Sequence, residues 1–166
     1  LHVSRRLKRR RRSLALSFSS DTCFKLVVEN CAAPRRYADS TWITNDMREA
    51  YAALHKLGWA HSVEAWSDEE LVGGIYGVAI GRVFFGESMF SKISDASKIA
   101  LAETVEYLRA RNYALIDCQV WSSHLEALGA TTIPRAEFVV FLEEYCAPDS
   151  EPGPWTEDFA AFAASR

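Results

Sequence analysis

The sequence predicts an α+β domain, and three observations carry that reading. The hydrophobic period is helical near residues 44–57, becomes two-fold or continuous between 60 and 90, and turns helical again after 94. The turns inside the middle stretch, Ser67-Asp68-Glu69-Glu70 and Gly81-Arg82, are too short for crossovers, so its strands are sequential and antiparallel. A length of 166 residues, 49% hydrophobic and 25% charged, suits one buried core and excludes collagen-like, low-complexity and disordered classes.

Each element follows from local chemistry. A first helix is expected from about Ser20 to Cys31, with Phe24, Val27, Val28 and Cys31 on one side. Thr44 or Asn45 can cap a helix that runs to Leu57 through Met47, Ala50, Tyr51 and Leu54 and stops at Gly58. That cap leaves Trp42 ahead of the helix. Three strands follow, His61 to Trp66, Leu71 to Ile80 and Val83 to Phe85. Ser94 or Asp95 opens the longest helix, carried by Ile99, Leu101, Ala102, Val105 and Leu108, and Asn112 suits the left-handed residue after its end. A strand is expected over 114–120, entering beside the meander, then helices from Ser122 or Ser123 to Leu128 and from Arg135 to Tyr145. The domain is read as residues 1–147. Residues 148–166, with three of the five prolines, read as a loosely ordered tail that Trp155 can anchor.

Charge is unevenly spread. Residues 1–12 hold Arg5, Arg6, Lys8, Arg9, Arg10, Arg11 and Arg12 without an acid, a balance of +7. The rest holds 12 Lys and Arg against 22 acids, a balance of −10, so a polyanion meets one end only. Such a run is also compatible with a merely solvated face. No apolar stretch reaches the roughly 18–20 residues of a membrane span, and Leu14 to Phe18 is short for a signal-peptide core. A soluble, cytoplasmic protein is expected. The chain begins with leucine rather than methionine, which reads as a processed or partial sequence. Cys23, Cys31, Cys118 and Cys146 form no CxxC pair and read as buried thiols, and four scattered histidines form no metal motif, so no metal site is expected.

The chemistry concentrates at few places. In a strand over 114–120, Asp117 and Gln119 share one face and Cys118 the other, a costly pair in an apolar strand unless it lines a wet cleft or caps a turn. Glu87 ends an apolar strand, where sites tend to sit. Ser88 lacks the second glycine of a nucleophile elbow, and the glycines of 73–81 match no phosphate-binding loop, suiting a bulge or a close ligand approach.

A set of words goes further: Trp42-Ile43-Thr44, Glu49-Ala50-Tyr51, His61-Ser62-Val63-Glu64, Leu71-Val72-Gly73-Gly74-Ile75-Tyr76-Gly77-Val78, Gly86-Glu87-Ser88-Met89-Phe90-Ser91, Ile116-Asp117-Cys118-Gln119 and Leu128-Gly129-Ala130 with Ile133-Pro134-Arg135. Together, over roughly residues 2–146, they resemble the leucyl/phenylalanyl-tRNA–protein transferases. The resemblance implies a cytosolic aminoacyltransferase, with no metal or nucleotide cofactor expected, that moves Leu or Phe from its tRNA to proteins with N-terminal Arg or Lys, marking them for N-degron degradation. It implies a Gcn5-related acetyltransferase-like mixed sheet with flanking helices, and a monomer. It assigns Asp117, Gln119 and Glu87 to catalysis, and Ile75, Phe84, Leu101, Leu108 and Ile116 to the aminoacyl pocket. Trp42 and Tyr51 fall near the 3′ adenosine, and Arg5, Lys8, Arg9 and Arg12 along the tRNA acceptor stem.

Two departures leave the choice among Leu, Phe and Met open: Ile75 stands where methionine is familiar, and Thr104 where an aromatic can occur. A small N-terminal domain of that family is expected to be missing here. Two other functions compete. An acyl-CoA-dependent N-acetyltransferase needs a glycine-bearing pyrophosphate turn, where this sequence reads Ser91-Lys92-Ile93-Ser94-Asp95-Ala96. A non-catalytic RNA-binding module leaves Asp117, Gln119 and Glu87 unexplained.

Overall fold

The computed structural model describes residues 1–34, 41–146 and 151–165. A five-stranded sheet in the order β1-β2-β3-β4-β5 is built from β1 (Ser17–Ser20), β2 (Ala60–Ser67), β3 (Glu70–Ile80), β4 (Val83–Ser91) and β5 (Leu115–Asp117). Each pair among β1 to β4 is antiparallel, while β5 runs parallel to β4, with Val83, Phe84 and Phe85 beside Leu115, Ile116 and Asp117. A parallel return needs a crossover, which helix α4 (Ala96–Ala110) supplies.

Strand alternation sends side chains to two cores. Val63, Ala65, Ile75, Ala79 and Phe84 pack with α4 and the aromatic C-terminus, and Leu71, Tyr76 and Phe90 pack with α2 (Phe24–Ala32) and α3 (Asn45–Lys56). Gly73 lets α4 sit close, because a Cβ there would lie 2.7 Å from the Ala96 methyl. The register shifts between Tyr76 and Gly77, so the glycine-rich strand serves a bulge and a helix approach.

Several expectations are corrected. The helix expected from Ser20 is two elements: Ser19 and Ser20 donate their hydroxyls to Glu64 and the Ser62 carbonyl, fixing a serine-rich strand with no apolar signature before α2 begins at Phe24. β4 is longer than expected, since residues 86–91 continue pairing with β3. β5 is shorter: Asp117 Oδ1 accepts the Gln119 amide at 2.7 Å and Gln119 turns to φ 60°, which ends the ladder. Asp117 and Gln119 therefore do not alternate on one strand. Asp95 caps α4 in the left-handed conformation without a side-chain cap bond, its carboxylate going instead to Lys98. Thr44 caps α3, Ser122 caps α5 (Ser123–Ala127), Asn112 adopts φ 60°, and α6 (Arg135–Tyr145) has the expected bounds. All four cysteines are free thiols, but only Cys31 is buried.

The tail is the largest difference. The expected 147/148 boundary lies outside the described residues, but the tail is not loose, because α7 (Thr156–Ala164) packs into the core through Trp155 and buried Phe159. Trp155 stacks on His61 at 4.0 Å, and its backbone N–H donates to Asp21, which also accepts from Ser62 and pairs with His61. The prolines hid a helix whose aromatic side chains find Tyr107 and Phe84 in the core. The basic segment is also a helix, α1 (Arg5–Leu14), capped by Ser4 and seated on buried Leu7.

Candidate aminoacyl-transfer site

The sheet opens where β5 stops. Beyond Phe85 and Asp117, β4 runs on to Ser91 while the other chain turns away, so β4 from Gly86 onward is hydrogen-bonded along its β3 edge. Gln119 spans the opening, its side-chain amide donating to the Gly86 carbonyl at 3.3 Å. Gln119 holds a left-handed conformation rare for a residue with a Cβ, and such strain clusters at functional sites.

A cleft of about 650 Å³ opens here, lined by Asp117, Cys118 and Gln119 with Trp121, Ile133 and Phe138. An apolar pocket of about 280 Å³ adjoins it, sharing Leu115, Ile116, Cys118 and Leu125. Leu101, Leu108 and Ile116 line that pocket together, with Val105 and Leu128. Ile75 and Phe84 do not line it; they are buried in the core against which Ile116 packs.

Glu87 stands apart from Asp117. It sits inside β4 at the bulge rather than at a strand end, and lines a different cavity of about 640 Å³ with Asn30, Lys92 and Ser97. Tyr51 hydrogen-bonds to Glu87, and burial, helped by that carboxylate, pushes the phenol well above its ordinary range. Tyr51 is itself 8% exposed and packs edge-on against Tyr76, so its ring offers no free face to a base. Trp42, 51% exposed ahead of α3, does.

Cys118 is the only thiol among the cleft-lining residues. Burial and the neighbouring Asp117 push it up, so it stays protonated and a poor nucleophile. Among the described residues no group of His, Cys, Asp or Glu is arranged to hold a metal ion.

Arg5, Lys8, Arg9 and Arg12 are all exposed and, at i, i+3, i+4 and i+7, share one face of α1. The spacing held that signal, but the sequence reading found no helix there. It also missed Trp121, Ile133 and Phe138, whose only signal was apolar residues next to turn chemistry. The helix lies near the pocket: the His2 N–H donates to the Leu128 carbonyl at 2.7 Å, and Leu1 lines the apolar wall.

The mixed sheet, with its crossover helix and the split between its last two strands, defines the class of fold. The structure superposes on an aminoglycoside acetyltransferase from an uncultured soil metagenomic sample with a TM-score of 0.50, at 10% identity, over 72% of this chain and 91% of that one, which shows the Gcn5-related acetyltransferase fold. Residues 1–143 match the family described as leucyl/phenylalanyl-tRNA protein transferase. A leucyl/phenylalanyl-tRNA–protein transferase of Hahella chejuensis is 54% identical over 159 residues, covering 95% of this chain and 68% of the relative. One of Methylococcus capsulatus is 50% identical over 155 residues, covering 93% and 66%. The chain belongs to the leucyl/phenylalanyl-tRNA protein transferase family, and spans about two thirds of the length of these relatives.

Proposed function

We propose that this chain transfers a leucyl or phenylalanyl group from aminoacyl-tRNA to the N-terminal Arg or Lys of a protein, tagging it for N-degron degradation. Methionyl is an open third donor. The observation that carries this reading is the Asp117–Gln119 turn at the split edge, beside an apolar pocket sized for one side chain.

The aminoacyl ester is already activated, so the chain's task is to seat it and supply a free amine. The donor side chain enters the pocket of Leu101, Leu108 and Ile116, which holds the ester carbonyl at the split. With its amide nitrogen held by Gly86, Gln119 presents its carbonyl oxygen to an N–H of the incoming amine. Asp117 takes the proton as general base. The amine lone pair attacks the ester carbon, the new amide bond forms, the ester C–O bond breaks, and the proton passes to the departing 3′ oxygen. Glu87, in its separate cavity, is held by Tyr51 and is available to the cationic acceptor. Arg5, Lys8, Arg9 and Arg12 neutralise acceptor-stem phosphates, and Trp42 stacks near the 3′ adenosine.

The proposed setting is the cytoplasm, with the protein a monomer. Among the described residues no helix is long and apolar enough to cross a membrane. An acyl-CoA donor finds less support: the turn into α4 has no glycine and carries the Asp95 carboxylate, which opposes a pyrophosphate. The test is incubation with leucyl-tRNA and a peptide bearing N-terminal Arg at low salt, followed by mass spectrometry. A peptide heavier by one leucyl residue is expected; leucyl transfer to no acceptor, with acetylation from acetyl-CoA instead, contradicts the reading.

A further inference from the structure

We propose that Glu103, in the middle of α4, is a positioning residue that fixes the rotation of helix α1, so that its four-cation stripe faces the RNA. This rests on the assignment of α1 to tRNA binding. Seven of the eight residues from Arg5 to Arg12 are cationic, so charge alone gives this helix no preferred face. Its apolar seat is narrow, Leu7 being its one buried residue, with Leu14 and nearby Val3 partly buried.

At about 100° per residue, Leu7 lies roughly opposite the centre of the Arg5, Lys8, Arg9 and Arg12 stripe, with Arg10 and then Arg6 on one side of it and Arg11 on the other. Arg6 and Arg11 are engaged with α4. Arg11 pairs with Glu103, and Arg6 lies 3.7 Å from Asp95 at the start of α4. The two pairs differ in strength. Both carboxylates are buried, Asp95 8% and Glu103 6% exposed, but Asp95 also holds Lys98 at 2.7 Å and its Arg6 is 73% exposed and well screened, whereas Arg11 is 41% exposed and Glu103 lies in the wall of a cavity with Leu7, Phe18, Ile99 and Phe159. A carboxylate so placed is costly without its cation, which makes the Arg11 position the favoured one for α1.

Charge counting and positioning give opposite signs. Neutralising Glu103 removes a negative charge near a polyanion site, which by field alone tightens RNA binding. Loss of positioning weakens it, because the stripe turns away from the phosphates.

The experiment measures affinity of the full chain for uncharged leucine tRNA across a salt series, with transfer from 3′-leucyl-adenosine as a donor lacking an acceptor stem. Arg9→Ala with Arg12→Ala is expected to weaken tRNA binding about tenfold or more and to lower the salt slope by one to two. Glu103→Gln and Arg11→Met are each expected to weaken it three- to tenfold, with the double variant no weaker than either single one and Arg11→Lys within twofold of the parent. Transfer from leucyl-adenosine stays unchanged in the Glu103 and Arg11 variants. Glu103→Gln binding tRNA as tightly as the parent or tighter, while Arg9→Ala with Arg12→Ala weakens it, overturns the positioning role and leaves the tRNA assignment standing. If Arg9→Ala with Arg12→Ala changes nothing, the assignment of α1 itself falls. Arg11, 41% exposed, tests the same pair if the Glu103 variant does not fold.

Discussion

The two edges of the sheet are built by opposite rules. At the β1–β2 edge, buried polar groups are paired with one another: Asp21 takes bonds from Ser62, His61 and Trp155, and Glu64 takes them from Ser19 and Ser62. At the β4–β5 edge the pairing lasts three residues, Gln119 is held at positive φ, and Val120 and Trp121 stand 77% and 59% exposed. A sheet edge kept open and apolar serves no stability purpose. The contrast separates the part that holds the fold from the part that handles substrates, and substitutions on each side sharpen it.

The largest effect is expected at Asp117. Replacing it with alanine should slow leucyl transfer by roughly 10²–10⁴ if it acts as general base, while the melting temperature moves little because the site is partly open. Single-turnover transfer and thermal unfolding on one preparation read both.

Asp21→Asn should show the reverse pattern. Burial alone raises this carboxyl, but the hydrogen bond and charge of His61, with the Trp155 and Ser62 N–H groups, bring it below its ordinary value. A lowered carboxylate contributes stability that is present above its unfolded value and lost as pH falls through the folded one. Wild type should therefore lose stability below about pH 4, starting with release of α7, seen as a rise in Trp155 solvent exposure. Asp21→Asn should lose about 1–3 kcal/mol at neutral pH and flatten that acid transition.

Trp42→Ala, at an exposed ring, should leave stability unchanged and weaken aminoacyl-tRNA binding by about 1–3 kcal/mol, measured as Kd. The smallest effect belongs to Glu64. Burial raises it despite the Ser19 and Ser62 bonds. A raised carboxyl contributes stability that is present below its unfolded value and lost as pH rises through the folded one. Glu64→Gln should therefore make denaturation midpoints at pH 5 and pH 8 more alike, by about 1 kcal/mol or less.

The elements carried by strong local signals were legible in the sequence. Thr44 and Ser122 cap the helices they were expected to cap, and the glycine-rich meander pairs as read. What escaped depended on distant partners. β1 is a strand because Glu64 and the Ser62 carbonyl bind its serines, and α7 is seated because His61 and Tyr107 receive its aromatic residues. At the candidate site, Asp117 and Gln119 were found by their cost in an apolar strand, yet their arrangement was not, because an Asx-type turn replaces the alternation. Ile75 and Phe84, which the family resemblance placed in the pocket, share the core with Ile116 and do not line the cavity of Leu101 and Leu108.

Gln119→Gly tests the division between the two edges most directly. Glycine accepts φ 60° without strain, so stability should be no lower than in the parent, while loss of the side chain that bridges to Gly86 should cut leucyl transfer at least tenfold. Transfer at the parental rate, or a melting temperature lower by several degrees, would contradict the account, because Gln119 would then hold the fold together rather than serve the reaction.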